Sequence, residues 1–232
     1  PNTDYRNWYL GDWATPEGID QTDPRSVDLV NNCFVAVCYQ TMAKIAQTLG
    51  KPNDQKLYES KTEQLRTLIH KTFYDSKEAS YGTGTQIELV YPMLAGVTPE
   101  SQLSNLLNTL YKNTAERFRG HLATGLVGIP IITEWCIKNQ QVNFMHQMLK
   151  KRDYPSYLYM IDNGATTTWE HWNGERSHIH NCYNGIGTWF YQALAGIMPD
   201  EAHPGYKHVR ISPQLAKGIS WVKASKETPY GK

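Results

Sequence analysis

At 232 residues with 40% apolar side chains, the chain is long enough to bury a substantial core as one large domain or two small ones. Its 23 Lys and Arg against 22 Asp and Glu, with no basic block, give no nucleic-acid footprint and no basic membrane-surface helix. No apolar run reaches the length of a membrane span, and 7 Trp and 15 Tyr against 5 Phe favour rings with a polar handle, as sugar sites and interfaces do.

Residues 1–26 read as a loop, because Gly, Pro and Asp are too dense for a helix and no period emerges. The loop carries Tyr5, Trp8, Tyr9 and Trp13 with Asp4, Asp12, Glu17, Asp20 and Asp23, and Gly11-Asp12-Trp13 sets a carboxylate beside an indole. Starting at Pro1 inside such a loop, the chain is expected to be a piece of something longer. From Val27 to about Leu49, the spacing of residues 30, 33, 34, 37, 38, 41 and 45, apolar except for Thr41, predicts an amphipathic helix, with Ser26 as cap and Gly50 as stop. A second helix is predicted over Asn53 to Phe73, with Leu57, Leu65, Leu68, Ile69 and Phe73 on its apolar side. Thr85 to Leu94 and a helix from Pro99, striped by Leu103, Leu106, Leu107 and Leu110, repeat the hairpin.

A third pair runs from His121 to Lys138, with a kink or late start at Pro130, and from Val142 to Lys151. Tyr154 to Asn163 alternates and reads as a short strand or hairpin, and Ile179 to Ile197 as one more helix. In the tail Pro199, Pro204 and Pro213 break helix, and strands are predicted at Lys207 to Ser212 and Ile219 to Lys223. The predicted class is therefore mainly α, a ring or stack of helical hairpins over residues 1–198, followed at 199–232 by the start of a β domain. The four cysteines, Cys33, Cys38, Cys136 and Cys182, lack paired CxxC spacing and read as free buried thiols.

Polar and aromatic residues gather in the loops before helices, and the densest cluster is Gly164-Ala-Thr-Thr-Thr-Trp169-Glu170-His171-Trp172-Asn-Gly174. A pyranose offers C–H faces that stack on aromatic rings and hydroxyls that need fixed polar partners, so Trp beside a carboxylate suits it. Glycoside hydrolysis needs two carboxyl groups, spaced roughly 6.5–9.5 Å apart when the configuration inverts. Glu170 is the candidate for one, and Asp12 or Glu17 for the other; equally, the Trp pair can be core and the acidic loop residues solvated or bonded to backbone amides. Asp12, His121, Glu170 and His180 each precede or open a predicted helix and so can meet at one rim. His121, His178 and His180 are metal-ligand types, but no HExxH or helical i, i+4 pair accompanies them, and no metal or cofactor is expected. A Cys182–His180 nucleophile pair has still less behind it, because positions so close along a helix do not face each other.

The run Gly164 to Gly174, followed by His178-Ile-His180-Asn-Cys-Tyr-Asn-Gly-Ile-Gly-Thr-Trp-Phe-Tyr191 and Leu194-Ala-Gly-Ile197, resembles bacterial α-L-rhamnosidases of glycoside hydrolase family 78. Gly11-Asp12-Trp13, His121-Leu-Ala-Thr-Gly-Leu-Val-Gly128 and Pro204-Gly-Tyr-Lys-His-Val-Arg-Ile-Ser-Pro213 belong to the same ordered series, so the resemblance covers nearly the whole chain. It implies part of an (α/α)6 barrel flanked by β domains, and an inverting hydrolase that releases terminal L-rhamnose from oligosaccharides, polysaccharides or plant glycosides. It implies that Glu170 is the general base, and that Asp12, Trp13, His121, Trp169, Trp172 and His180 line the sugar pocket. It further implies a periplasmic or secreted enzyme, with a cytoplasmic one as the alternative.

The family's general acid belongs to a motif resembling Cys-Pro-x-Arg-Glu-Arg, which nothing in residues 1–232 matches. The rest of a parent polypeptide is expected to supply it, and this chain alone is expected to hydrolyse rhamnosides poorly or not at all. The other readings open at this point are a sugar-binding or assembly module that keeps the aromatic pocket without the acid, and another α/α-barrel glycosidase or a polysaccharide lyase.

Overall fold

The computed structural model describes residues 11–17, 24–181 and 183–232. The chain divides into two compact units, one running to Arg119 and including Ala123–Ile131, the other made of Gly120–Leu122 and Ile132–Lys232.

The first unit opens with a helical hairpin, α1 (Pro24–Thr48) and α2 (Pro52–Phe73). Ser26 falls inside α1 rather than capping it. The buried side of α1 is also rotated from the predicted stripe: Val27, Leu29, Val30, Cys33, Ala36, Ala43 and Ala46 are buried, whereas Phe34, Cys38 and Ile45 are exposed. Small alanines let a neighbouring backbone approach, so they take the packed face, and the bulkier residues that fit a 3.6-residue period lie on the other. Helix α2 buries only Thr62 and Ile69, and leaves Leu57 and Leu68 exposed.

A two-residue ribbon that the sequence reading missed, β1 (Tyr74–Asp75) with β2 (Ser80–Tyr81), closes the connection after α2. Asp75 stabilises its turn by accepting from the amide of Lys77 at 2.8 Å. Helix α3 (Gln86–Leu94) is buried from Gln86 through Pro92, and α4 (Glu100–Glu116) packs Leu106 and Leu110 inward. The start of α3 is fixed by Glu88, whose Oε2 accepts from Thr83 N (2.9 Å), Thr83 Oγ1 (2.8 Å) and Thr85 N (3.0 Å).

Helix α5 (Gly128–Lys138), across which the division between the units falls, begins seven residues later than the His121 start expected, so Pro130 sits harmlessly in its first turn. In the second unit, α6 (Val142–Leu149) buries Val142, Met145 and Met148. The alternating segment after it is not a strand. Ser156 Oγ accepts from Tyr159 N at 2.9 Å and starts a short helix, α7 (Tyr157–Asp162), because a cap outweighs a six-residue alternation that fits either state.

The expected Ile179 to Ile197 helix is shorter and irregular: a 3-10 turn at Asn184–Ile186, α8 (Gly187–Trp189), then a π turn at Phe190–Leu194. It starts late because residues around His180 are committed to loop pairing, with His180 N donating to Thr168 O at 3.0 Å. In the tail, β3 (Ile197–Pro199) pairs antiparallel with β4 (Val209–Ile211), placing Ile197 opposite Ile211 and Pro199 opposite Val209. Ile219 to Lys223, the strand expected to accompany β4, forms no strand; the partner comes from the segment just before the loop instead. Cys33 and Cys136 are buried thiols, Cys38 is exposed contrary to expectation, and Cys182 lies outside the described residues. Among the described residues no helix is long and apolar enough to cross a membrane.

Candidate active site

Between α7 and the 3-10 turn the chain makes one long loop, and Glu170 is at its centre. The loop folds back on itself: Glu170 N donates to Ser177 O at 2.8 Å, His180 N to Thr168 O at 3.0 Å, and Gly174 N to His171 O at 3.1 Å. Thr168 Oγ1 adds bonds to the His180 carbonyl and, at 2.8 Å, to Asn184 Oδ1. The reversal needs Gly174, whose φ of +81° is a left-handed conformation and whose Cβ, if present, would meet Trp169 Cζ3 at 2.9 Å.

This pairing aims the Glu170 carboxylate. Ser177 N donates to Oε2 at 3.2 Å, and Tyr183 Oη donates to the Glu170 carbonyl at 3.2 Å. Three nitrogen-bearing side chains surround the carboxylate: Arg176 Nη1 at 3.8 Å and His171 Nε2 at 3.9 Å from Oε1, and His180 Nδ1 at 3.7 Å from Oε2. All three distances exceed a direct hydrogen bond and suit one bridged by a water or a substrate hydroxyl. The Glu170 side chain retains 14% exposure, enough for one face to meet a ligand.

The two indoles are spent on protein. Trp172, 1% exposed, stacks on Tyr183 (4.3 Å between centroids) and meets Tyr157 edge-on at 5.2 Å. Tyr157 Oη donates to the Tyr183 carbonyl at 2.7 Å, and burial holds that phenol well above its ordinary pKa. Trp169, 5% exposed, stacks on His178 at 4.8 Å, and His178 Nε2 donates to Gly174 O at 2.7 Å. His178 therefore braces the loop.

His121 is 1% exposed in the same unit, with Nδ1 2.8 Å from the Pro155 carbonyl and Nε2 3.2 Å from Asp153 Oδ2. The segment holding it, Asp153 to Tyr157, is also the one that packs Tyr157 against Trp172.

Asp12 and Trp13 belong to the first unit. Asp12 Oδ1 accepts from Gly128 N at 2.7 Å and Oδ2 from Gly125 N at 2.8 Å, capping the start of α5, while Trp13 O accepts from Leu126 N at 2.7 Å. Gly125 permits this docking, since its Cβ would fall 2.0 Å from Trp13 O. Burial raises the Asp12 carboxyl to a pKa of about 6; the Gly125, Gly128 and Val127 amides pull it down, and the Glu88 charge pushes it up again. Of the four residues expected at one rim, Glu170 and His180 are brought together at 3.7 Å. Arg176 and Ser177 stand out less in the sequence than the indoles and histidines beside them. Their signal is the polar run Gly-Glu-Arg-Ser-His directly after the two indoles, which cannot be core and must return past Glu170 if the loop closes.

An open groove of about 560 Å³, lined by Phe190, Tyr191, Trp221 and neighbours, shares no lining residue with the Glu170 loop.

Residues 1–194 match the family model for the bacterial α-L-rhamnosidase six-hairpin glycosidase domain, and residues 196–232 the model for the bacterial α-L-rhamnosidase C-terminal domain. An α-L-rhamnosidase of an Alteromonas species (strain LOR) is 30% identical over 96% of this chain and 26% of its own length. A second, from Formosa agariphila, is 29% identical over 96% of the chain and 25% of its own. The solved structure of an α-L-rhamnosidase from Dictyoglumus thermophilum superposes with a TM-score of 0.75 at 27% identity, over 84% of this chain and 23% of that one. The crystal structure of the Streptomyces avermitilis α-L-rhamnosidase complexed with L-rhamnose gives 0.78 at 25% identity, over 89% and 20%. The chain thus spans about a quarter of the length of the curated relatives it matches.

Proposed function

We propose, from the premise that the chain belongs to the bacterial α-L-rhamnosidase six-hairpin glycosidase family, that it is the base-bearing part of a hydrolase acting on terminal α-L-rhamnosides. The observation that carries this reading is the setting of Glu170: one oxygen held by the Ser177 amide, and Arg176, His171 and His180 each one bridging atom away. A carboxylate so anchored keeps its second oxygen free to take a proton from a water while the side chains around it orient that water and the sugar hydroxyls.

In this scheme water attacks the anomeric carbon as its proton passes to Glu170, and the bond to the leaving oxygen breaks with inversion. A second carboxylic acid must protonate the leaving oxygen. Asp12 does not fill that role, since both its oxygens are bound to the backbone at the start of α5. The acid is assigned to the remainder of a longer polypeptide, and the natural substrates to rhamnose-bearing oligosaccharides, polysaccharides or plant glycosides.

The test is Glu170→Gln in the full-length parent enzyme. Hydrolysis of an aryl α-L-rhamnoside is expected to fall by about 10²–10⁴-fold in kcat, the size of a general acid–base contribution, with circular dichroism unchanged. NMR of the first product should show the inverted anomer. Wild-type turnover in the variant, or a retained anomer, overturns the assignment.

A further inference from the structure

The loop between β3 and β4 holds a cluster unconnected with Glu170. Strand pairing places Pro199 opposite Val209 and continues to Asp200 N, which donates to His208 O at 3.3 Å. A turn then brings His203 back, its amide donating to Asp200 O at 3.0 Å. The hairpin thereby gathers three side chains: Asp200 Oδ2 is 2.8 Å from His203 Nδ1 and 3.8 Å from His208 Nδ1, and the two imidazole rings lie 3.7 Å apart. Ligand atoms of Asp200, His203 and His208 all fall within 4.8 Å of one another.

We propose that Asp200, His203 and His208 form a binding site for a divalent transition metal of the zinc type. Zinc binds imidazole nitrogen and carboxylate oxygen at about 2.0–2.2 Å, so tetrahedral ligands sit about 3.3 Å apart. The Asp200 to histidine distances of 2.8 and 3.8 Å straddle that edge, and small side-chain rotations reach it without moving the strands. Two imidazoles with one carboxylate select zinc, nickel, cobalt or copper over magnesium and calcium, which demand oxygen. With side-chain exposures of 38%, 47% and 62%, the three residues are open to an incoming ion, and the remaining coordination position falls to water.

Such an ion would fasten the loop joining β3 to β4, immediately after the junction between the two family-model segments at residues 194 and 196. It would add to stability because it binds the folded hairpin and not the unfolded chain.

The experiment is calorimetric titration of the untagged 232-residue chain with Zn²⁺ alone, paralleled by Co²⁺ absorption in the visible. One equivalent is expected to bind, Mg²⁺ in excess not to displace it, and His203→Gln and His208→Gln each to weaken binding about ten-fold or more. The thermal midpoint should rise with Zn²⁺ in the wild type and not in the double variant. No stoichiometric binding, or wild-type affinity in both single variants, overturns the site; neither substitution touches the core, so loss of folding does not explain a loss of metal.

Discussion

Glu170 and Ser177 hold each other twice: the Glu170 amide donates to the Ser177 carbonyl at 2.8 Å, and the Ser177 amide donates to Glu170 Oε2 at 3.2 Å. The backbone bond fixes where the residue is, and the side-chain bond fixes which way its carboxylate faces. The direction of the candidate base is therefore a property of loop closure rather than of Glu170 alone.

Shortening the side chain separates charge from placement. Glu170→Asp keeps a carboxylate but withdraws it by one methylene from the Ser177 amide. In the full-length enzyme kcat should fall about 10²-fold or more while KM for an aryl rhamnoside changes little, since charge is kept and only positioning is lost. Activity near wild type would mean that the Ser177 contact has no part in aiming the base.

Gly174→Ala tests the reversal itself. The φ of +81° and a 2.9 Å approach to Trp169 disfavour any side chain, and forcing an L residue into that region costs about 1–2 kcal/mol. Urea unfolding of the variant should show that loss, and the Trp169–His178 stack should open, altering near-ultraviolet dichroism. An unchanged midpoint would show that the loop relaxes freely.

The aromatic floor predicts a packing phenotype. Trp172→Ala removes a ring that is 1% exposed and held between Tyr183 and Tyr157, so it should cost about 3–5 kcal/mol, in the range of buried aromatic truncations. If Trp172 instead served the sugar directly, the denaturation midpoint would hold while KM rose.

These features differ in how far the sequence announced them. The Thr-Trp-Glu-His-Trp run is local, so its chemistry is visible without knowing what lies across from it. On α4 the helical period holds in part: of the stripe Leu103, Leu106, Leu107 and Leu110, Leu106 and Leu110 are buried and the other two half-buried. Where partners are remote, the pattern misleads. Small alanines set the buried face of α1, which hydrophobicity alone rotates onto Phe34 and Ile45. Residues 154–163 alternate like a strand, but one serine cap and a short apolar run make α7. β4 pairs backward with Ile197–Pro199 rather than with Ile219–Lys223, and that pairing brings Asp200 and His208 together. Asp12 was legible as an acidic loop residue, while its capping of α5 depended on a contact more than a hundred positions away.

That contact gives a pH-dependent prediction. Burial raises Asp12 from 3.8 in the unfolded chain to about 6 in the folded one, so between these values the native state keeps a proton that the unfolded state has released. Stability from this group is then fully present below pH 3.8 and is lost as pH rises through 6. Asp12→Asn cannot titrate, and its amide nitrogen cannot accept from a backbone N–H, so one of the Gly125 and Gly128 bonds is lost at every pH, at about 1 kcal/mol. The wild type should exceed the variant by more at pH 4 than at pH 7, as read by urea midpoints at both values. Gly125→Ala, which sets a methyl 2.0 Å from the Trp13 carbonyl, should displace Asp12 into water and flatten the same difference by another route. A wild-type advantage that stays constant from pH 4 to pH 7 would mean that Asp12 remains ionised at the head of α5 throughout.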